Sequence, residues 1–266
     1  AQSLVFESIK NPIDTWNTNL IGTLNILESL RGYRKKCSVV LVTSDKCYEN
    51  LEINRGYKEN DKLGGSDPYS ASKASTEIMI KSYVKTFFKN QTKVRIATAR
   101  AGNVIGGGDW SNSRIIPDCV KSWTKNKTII IRSPKSTRPW QHVLEPLRGY
   151  LMLSKNLYQK KEFHGDSFNF GPNKNMKKKK VIEVVKYFSN FWKNSKWKII
   201  ISKNSIESKL LSLNCSKAKK KLGWNTVLSS DEALKFTSDW YNNFYSKKKI
   251  NDFSLKQIIS YEKKNK

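Results

Sequence analysis

Apolar residues recur at helical spacing from Asn11-Pro12 to about Arg31, and an Asn-Pro pair is typical of a helix start. The run from Ser38 to Thr43 is short, apolar and β-branched, which predicts a strand buried on both faces, as in parallel sheets. A second cap and proline, Asp67-Pro68, begin a predicted helix to about Lys89, and 94–99 is the next predicted strand. Strand, crossover helix and strand in this order predict a parallel α/β sheet.

Shorter elements are predicted after Gly102. The three adjacent glycines from Gly106 to Gly108 predict a tight turn. The further predicted helices are 115–123, 143–158, 181–192, 216–222 and 231–245, and the further predicted strands are 128–132, 167–171 and 196–201. The last twenty residues are polar and rich in lysine, so we expect a mobile tail with some helical content.

The charge of the chain leaves three interpretations open. Its 266 residues include 50 Lys and Arg against 22 Asp and Glu, a net charge of +28. A nucleic-acid partner would explain this charge. A lysine-rich composition on solvated helix faces would also explain it, and the scattered positions of the lysines favour that interpretation. A third interpretation is a positive field that attracts a polyanionic small ligand, such as a nucleotide diphosphate.

The composition excludes several classes of protein. With 38% hydrophobic residues the chain is not a disordered polyelectrolyte, and no apolar run approaches the roughly 20 residues of a membrane span. The first residues lack the plan of a signal peptide, and the four cysteines show no CxxC spacing that would indicate a disulfide framework or a zinc site. We expect a cytoplasmic protein with reduced thiols, no bound metal, and structural roles for His142 and His164.

Tyr69 and Lys73 form the first candidate for catalysis. They are four residues apart just inside a capped helix start, so both side chains project from one face. An ammonium group beside a phenol stabilises the phenolate, which can then accept a proton from a sugar hydroxyl. Tyr and Lys at this spacing also occur often by chance, so the pair alone does not establish catalysis.

Polar residues follow the predicted strands directly. Ser44, Asp45 and Lys46 come after the first strand, and Arg100 and Asn103 come at the end of the next. Ligands of open α/β sheets bind outside the carboxyl ends of the strands, but ordinary turns and structural hydrogen bonds use the same residue types. Three arginines are candidates for contacts with a diphosphate, or ordinary surface residues: Arg114, Arg132 and Arg138.

Together these segments resemble the extended short-chain dehydrogenase/reductase family. The matching strings are TSDKCY at 43–48, YSASK at 69–73, RAGNVIGGGDW at 100–110, RIIPD at 114–118 and RPWQHVLEPLRGYL at 138–151. Within the family, the last string and GGGDW are similar to the nucleotide-sugar 4,6-dehydratases that act on CDP-glucose. The resemblance covers the chain to about Tyr245.

The resemblance implies a reaction and a role for each matching residue. The expected reaction is the NAD-dependent conversion of CDP-D-glucose to CDP-4-keto-6-deoxy-D-glucose and water. Tyr69 would be the base for oxidation at C4, with Lys73 holding the nicotinamide ribose and Ser44 bonding the sugar O4. Asp45 would protonate the departing C6 hydroxyl, and Lys46 stands where dTDP-glucose relatives carry a Glu base.

The same resemblance implies binding residues and partners. Ala1, Asn19 and the backbone near Ala101 would lie near the cofactor, together with Tyr69 and Lys73. Asn103, Arg114 and Arg138 would lie near the nucleotide diphosphate. We expect a homodimer or homotetramer, formed through the helices that contain 16–30 and 68–89.

The family's glycine-rich NAD-binding segment has no counterpart in the chain. We therefore expect a partial Rossmann-like, doubly wound parallel sheet that lacks its first strands. On this interpretation the chain is a C-terminal portion of the enzyme and is inactive on its own. It should expose an unpaired sheet edge and bind NAD weakly or not at all. Residues 1–103 and 139–171 would form the remaining part of this domain. Residues 104–138 and 172–246 would form a smaller α/β domain for the nucleotide sugar, with 247–266 as a basic tail.

Two local departures and two other functions stay open. Asn214 stands where the family usually has Asp, and SIESKLL at 205–211 lacks the usual His; we expect both positions in the substrate domain, with an effect on nucleotide affinity or folding. An epimerase or decarboxylase of the same family would keep Tyr69 and Lys73 without needing Asp45 and Lys46 together. A non-catalytic basic remnant is the remaining alternative.

Overall fold

The computed structural model describes residues 1–53, 55–173, 176, 179–200, 211–247 and 249–265. Its α-helices are α1 (Val5–Lys10), α2 (Pro12–Trp16), α3 (Gly22–Arg31), α4 (Pro68–Tyr83), α5 (Ile115–Trp123), α6 (Leu144–Gln159), α7 (Val181–Ser189), α8 (Ser216–Leu222), α9 (Ser230–Tyr245) and α10 (Ile250–Lys264). Its strands are β1 (Cys37–Val42), β2 (Val94–Ala101), β3 (Val104–Ile105), β4 (Ile129–Ile131), β5 (Thr137–Arg138), β6 (Gln141–His142), β7 (Ser167–Phe170), β8 (Lys179–Lys180) and β9 (Trp197–Ile199).

Two of the predicted helices contain a π-helical turn. Asn17–Ile21 joins α2 to α3, and Val84–Phe88 extends α4, so the helices predicted to about Arg31 and Lys89 are both present. Short 3₁₀ turns lie at Asp45–Cys47 and Lys161–Phe163. The chain divides into two compact units, of which the first contains residues 1–102, 147–170 and 211–225.

The first unit is built on a parallel sheet with strand order β1-β2-β7. Alternate residues of β2 point to opposite faces, so Val94 and Ile96 pack with the helices before the strand, whereas Ala97 and Ala99 pack with α6 and α8. Helices therefore cover both faces of the sheet. The predicted parallel α/β architecture is confirmed.

Strand β1 differs from the prediction of a strand buried on both faces. Its side chains are half-buried or exposed, and Val42 is 48% exposed. Among the described residues β1 pairs only with β2, from Cys37 opposite Val94 to Val42 opposite Ala99. A strand with a neighbour on one side only keeps part of its surface in solvent, and the apolar pattern alone did not reveal this.

The second unit contains residues 103–146, 171–210 and 226–266, of which 174, 175, 177, 178, 201–210, 248 and 266 lie outside the described residues. Its core packs α5, α7 and α9 around the parallel pair β4–β9, with Trp123, Phe188 and Tyr241 among the fully buried side chains. Two further strand pairs, parallel β3–β6 and antiparallel β5–β8, were not predicted. The predicted strand 196–201 is present as β9, and residue 201 of the prediction lies outside the described residues.

The glycine string is a tight turn, as predicted, and it is anchored on α9. A Cβ atom on Gly107 would lie 2.0 Å from the Trp240 ring, so no other residue fits there without a shift, and Gly108 has φ +80°. The Tyr241 hydroxyl donates to the Asp109 carbonyl at 2.6 Å, and the Trp110 ring packs against Tyr241. The string GGGDW thus fixes a loop onto a helix.

The segment expected to be a mobile tail with some helical content is helical over most of its length, as α10, and this helix packs against α9. Tyr261 is buried, and its hydroxyl donates to Glu145 at 2.8 Å. Trp240 of α9 donates its indole N–H to Ser254 at 3.0 Å. Tyr261 is the buried residue of α10, whereas Leu255 and Ile259 are more than half exposed, so only part of the apolar surface of this helix is covered.

The units differ from the predicted domains in three segments, 211–225, 139–146 and the predicted tail 247–266, and at the boundary residues Asn103 and Gly171, which belong to the second unit. Residues 211–225, predicted in the second domain, belong to the first unit, because Leu213 pairs with Tyr57 and the Trp224 ring contacts Phe170 with centroids 5.1 Å apart. Residues 139–146 belong to the second unit, where Gln141 and His142 pair with β3. Of the string SIESKLL, where the resemblance predicts a histidine, residues 205–210 lie outside the described residues.

Candidate functional site

The end of β1 presents the first group of predicted site residues. Ser44 has extended backbone angles and precedes the 3₁₀ turn Asp45–Cys47. Its hydroxyl accepts the Lys46 backbone N–H at 3.2 Å and donates to Asp45 Oδ1 at 3.1 Å. Ser44 and Asp45 are buried, and Lys46 is half-buried. The Ser44 hydroxyl and the Asp45 carboxyl are thus held together at the carboxyl end of a parallel strand, with Lys46 next in the same turn.

Helix α4 begins beside this turn. Asp67 caps it, accepting the Ser70 backbone N–H at 2.9 Å and the Ser70 hydroxyl at 2.6 Å, while Pro68 occupies the first helical position. A Cβ atom on Gly65 would lie 2.3 Å from the Ala71 nitrogen, so the loop approaches the first helical turn as closely as only glycine allows. Helix α4 packs against the turn Asp45–Cys47, which brings the two predicted groups of site residues into one region.

Tyr69 and Lys73 lie on this part of α4, and both are buried. Burial lowers the pKa of Lys73, and the neighbouring Cys47 and Glu77 oppose this effect. Among the described residues, the ammonium group of Lys73 has no hydrogen-bond or salt-bridge partner. A desolvated cation with unused donors is suited to hold a polar ligand and to stabilise a phenolate.

A buried ion pair lies one turn further along α4. Glu77 receives Arg100 Nε at 2.9 Å and Arg100 Nη2 at 2.8 Å, and Thr43 and Thr98 also donate to its carboxylate. Arg100 Nη1 donates to the Tyr48 hydroxyl at 2.7 Å. These bonds join α4 to the ends of β1 and β2. Of the two roles predicted for Arg100, ligand contact or structural hydrogen bond, these bonds favour the structural one. Glu77 is a supporting residue that sequence analysis had not identified.

Burial alone would raise the pKa of Glu77, but the hydrogen bonds and positive charge of Arg100 outweigh it and hold the pKa below its ordinary value. The carboxylate is therefore charged at neutral pH, four residues from Lys73 on the same helical face. Its spacing to Lys73 was visible in the sequence. Its partner Arg100 was not, because that contact depends on the strand pairing.

Tyr150 is a second residue that sequence reasoning missed. It lies on α6, and its ring packs edge-on against Phe170 of β7 with the centroids 5.6 Å apart. Burial raises the pKa of its phenol, and the charges of Asp45 and Tyr69 raise it further. Tyr150 therefore lies within electrostatic range of two predicted catalytic residues. The string RPWQHVLEPLRGYL contains it, but no local pattern distinguished it.

The residues predicted near a cofactor have different surroundings. Asn19 is buried, and its side-chain amide donates to the Ser72 hydroxyl at 2.9 Å and to the Gln2 carbonyl at 3.0 Å. Its oxygen accepts the Gln2 backbone N–H at 2.8 Å. Both N–H donors of Asn19 thus bond to the protein and fix the first residues of the chain on α4. Ala1 is exposed, and Ala101 ends β2 opposite Phe170.

The residues predicted near a diphosphate lie in the second unit. Arg114, 38% exposed, donates to Asp109 at 2.9 Å, and Arg138 of β5 donates to the carbonyl of Thr137 at 2.9 Å. The Asn103 carbonyl accepts the Gln141 backbone N–H at 3.1 Å. Arg132 is exposed.

The two histidines make structural contacts. His164 Nδ1 accepts the Ile96 backbone N–H at 3.0 Å, and its Nε2 lies 3.1 Å from the Phe88 carbonyl. Burial lowers the pKa of His142 to about 4, and its ring packs edge-on against Phe236. No group of three or more metal-ligating side chains occurs within the described ranges. In the same ranges, no helix has the length and apolar character to cross a membrane.

Comparison with known proteins identifies the family. Residues 1–237 match the family described as GDP-mannose 4,6 dehydratase. Over 265 residues the chain is 39% identical to CDP-glucose 4,6-dehydratase of Salmonella typhimurium, a match that covers 98% of this chain and 74% of that protein. The chain belongs to the GDP-mannose 4,6 dehydratase family. The predicted membership of the wider dehydrogenase/reductase group, to which nucleotide-sugar dehydratases and epimerases belong, is confirmed.

Solved structures show the same fold for this GDP-mannose 4,6 dehydratase family member. DesIV of Streptomyces venezuelae, a dTDP-glucose 4,6-dehydratase crystallised with NAD, matches with a TM-score of 0.78 and 21% identity over 94% of this chain and 73% of that one. UDP-glucose 4-epimerase of Thermotoga maritima, crystallised with UDP-glucose, matches with a TM-score of 0.74 and 21% identity over 92% and 76%. At these identities the match establishes the Rossmann-type architecture rather than the reaction.

Proposed function

We propose that the protein catalyses the NAD-dependent 4,6-dehydration of a nucleotide sugar, with CDP-glucose as the substrate. The observation that carries the proposal is the packing of α4, with Tyr69 and Lys73, against the turn that holds Asp45 and Lys46. The 39% identity to a CDP-glucose 4,6-dehydratase supports this choice of substrate.

The donor set of the site fits a nicotinamide dinucleotide. The buried ammonium of Lys73 keeps its donors for a ligand, which suits the adjacent hydroxyls of a ribose. Ala1, Asn19 and Ala101 are proposed near the same cofactor, Asn19 by supporting the first residues of the chain. When bound, NAD⁺ supplies the acceptor that takes hydride from C4 and later returns it to C6.

Tyr69 and Lys73 carry the oxidation step. Tyr69 acts as a phenolate, which the Lys73 ammonium stabilises; it accepts the proton of the C4 hydroxyl and becomes the phenol. The Ser44 hydroxyl holds the same sugar oxygen. Lys73 acts from a desolvated position, where its charge has a stronger effect on the phenol than it would in water.

Asp45 and Lys46 carry the elimination. A keto group at C4 acidifies the C5 proton, which Lys46 removes, and Asp45 protonates the departing C6 hydroxyl so that water is released. The overall change is CDP-glucose to CDP-4-keto-6-deoxyglucose and water, with no net oxidation. Asn103, Arg114 and Arg138 are proposed to bind the nucleotide diphosphate, since guanidinium groups match pairs of phosphate oxygens.

The proposal is tested on the protein expressed from its complete open reading frame. Incubation with CDP-glucose and NAD⁺ should give a 4-keto sugar that absorbs in alkali. Asp45→Asn should abolish that product while NADH still forms, because C4 oxidation does not need the acid. Asp14→Asn, an exposed carboxylate on α2, is the matched control and should leave the rate unchanged. Purified protein that holds NAD and gives no keto sugar would contradict the proposal.

The same experiment separates an epimerase. An epimerase would interconvert the C4 configuration of the sugar without a 4-keto-6-deoxy product, and Asp45→Asn would have little effect on it. UDP-glucose 4-epimerase of Mycoplasma pneumoniae is 23% identical over 93% of this chain, so the products must also be examined for interconversion at C4.

We also propose a homodimer through the helical segments 12–31 and 68–88. Large apolar side chains are exposed on both segments, with Ile13 at 73% and Ile78 at 57%. Such a patch is typical of a protein interface. Ile78→Glu should therefore give monomers in sedimentation velocity, whereas Ile130→Glu, exposed on β4, should not; an unchanged mass for Ile78→Glu would reject this interface.

A further inference from the structure

The carboxyl end of β7 fixes the position of Tyr150. A Cβ atom on Gly149 would lie 2.4 Å from the Phe170 ring, so α6 approaches that ring as closely as only glycine permits. The next residue, Tyr150, packs edge-on on the same ring, at an interplanar angle of 80°. Phe170 stands opposite Ala101 in the sheet, at the edge where the site residues are grouped. The ring contact of Tyr150 and the close approach of Gly149 thus both position this part of α6 on Phe170.

The phenol of Tyr150 stays protonated at any pH at which the enzyme would work. Burial raises its pKa, and the charge of Asp45 adds to this effect more than that of Tyr69. The group is therefore a neutral hydrogen-bond donor, and its phenol interacts electrostatically more with Asp45 than with Tyr69. The reaction steps assigned above do not use it.

We propose that Tyr150 is a substrate-positioning residue whose phenol donates a hydrogen bond to the C6 hydroxyl of the hexose and presents that hydroxyl to Asp45. The inference rests on the proposed dehydratase function, because Asp45 is there the acid for the C6 hydroxyl. The departing oxygen has two lone pairs; Asp45 protonates one, and the Tyr150 hydroxyl holds the other. A neutral donor suits this place, since a second charge would change the protonation of Asp45.

The test compares two substrates on the same preparation. Tyr150→Phe removes one oxygen and keeps the ring contact with Phe170. With CDP-glucose, kcat/KM for formation of the 4-keto-6-deoxy sugar should fall about tenfold, the effect of one lost hydrogen bond. With CDP-6-deoxyglucose, which has no C6 hydroxyl to bind or lose, NADH formation should stay within about twofold of the wild type.

The ratio of the two rates is the decisive quantity, because loss of folded protein lowers both rates and leaves the ratio unchanged. Tyr158→Phe, an exposed tyrosine on the same helix, is the matched control and should keep the wild-type ratio. An unchanged ratio for Tyr150→Phe overturns the positioning role, whether both rates hold or both fall. Wild-type protein that makes no keto sugar instead overturns the proposed function, and the positioning role with it.

Discussion

Three residues on one face of α4 carry or support the proposed proton chemistry. Tyr69, Lys73 and Glu77 follow one another at intervals of four residues, and all three are buried. Glu77 has a direct partner in Arg100, whereas Lys73 has only longer-range interactions with Glu77 and Cys47. The cation is therefore held in a place that costs stability, which is common where function requires a charge.

Replacing Lys73 should make the protein more stable and less active. The pKa of Lys73 is lower in the folded state than in the unfolded chain, so the protonated side chain lowers the free energy of unfolding at pH 7. This destabilisation disappears as the pH rises toward 10.5, where the lysine is no longer fully protonated in either state. Lys73→Met should raise the free energy of unfolding by about 1 kcal/mol at pH 7, and less at pH 10. Urea denaturation at both pH values measures the effect.

Lys81→Met, an exposed lysine on α4, is the control and should change stability at neither pH. The Lys73→Met variant should form no NADH with CDP-glucose. A loss of stability at pH 7 would show that the Lys73 ammonium is better compensated than its contacts indicate.

Glu77→Gln should have the opposite effect on stability. Removing the carboxylate leaves the Arg100 guanidinium buried without its counter-charge, which costs about 3 kcal/mol. Because the folded-state pKa of Glu77 is lowered, its contribution is present above pH 4.5 and is lost as the pH falls further, so the variant and wild type should converge in acid.

Equilibrium unfolding at pH 7 and pH 3.5 tests this convergence. Glu28→Gln breaks an exposed pair with Arg31 and should cost much less stability than Glu77→Gln at pH 7. Equal losses for the two variants at pH 7 would contradict the structural importance of the buried pair.

At the scale of elements, the first turn of α4 depends on a close approach of the loop before it. Gly65 lies against the backbone of Ser70 and Ala71, so Gly65→Ala should displace the turn that carries Tyr69. We expect a loss of about 2 kcal/mol in stability and at least a tenfold loss in kcat, since small displacements of reacting groups are costly. Gly32→Ala, where a Cβ meets no atom within 4 Å, should preserve both. Wild-type kinetics in Gly65→Ala would show that the loop can shift away from α4 without displacing Tyr69.

The elements were predictable where one local pattern determined them. The starts of the helices at Pro12 and Pro68, the strands β1 and β2 and the glycine turn follow from caps, apolar periods and turn residues. The exposed edge of β1 was not predictable, because burial depends on which elements pack beside a strand. The groups Ser44-Asp45-Lys46 and Tyr69-Lys73 were found from local strings, but Glu77–Arg100 and Tyr150 depend on contacts between distant segments.

Helix α10 is the clearest case of a misleading local pattern. The Tyr261 hydroxyl donates to Glu145, whose other oxygen accepts the backbone N–H groups of Val227 and Leu228 at 2.9 and 2.7 Å. Tyr261→Phe should therefore lower the free energy of unfolding by about 1 kcal/mol. Tyr245→Phe, at an exposed tyrosine with ring contacts only, should not. If Tyr261→Phe leaves the free energy of unfolding unchanged, the segment is a loosely held tail, as the sequence predicted.

At the scale of the whole molecule, the charge of +28 is a property of the surface and not of one site. Some arginines are paired locally, as Arg114 is with Asp109, while many lysines are exposed. A field of this kind attracts any polyanion, including a nucleotide sugar, without selecting among polyanions. The charge is therefore compatible with the proposed enzyme and does not require a nucleic-acid partner.

Duplex DNA distinguishes the two explanations of the charge. If the lysines act only as a diffuse field, binding should be independent of sequence and fall at least a thousandfold between about 50 and 200 mM salt, as expected for six or more phosphate contacts. Fluorescence anisotropy with two unrelated 20-base-pair duplexes measures this, and CDP-glucose should not compete at the higher salt concentration. Because specific recognition needs contacts to base edges, tight and sequence-dependent binding at 150 mM salt would favour the nucleic-acid module over the dehydratase. Weak, salt-sensitive binding to both duplexes would show that the high lysine content is a feature of composition and not of nucleic-acid recognition.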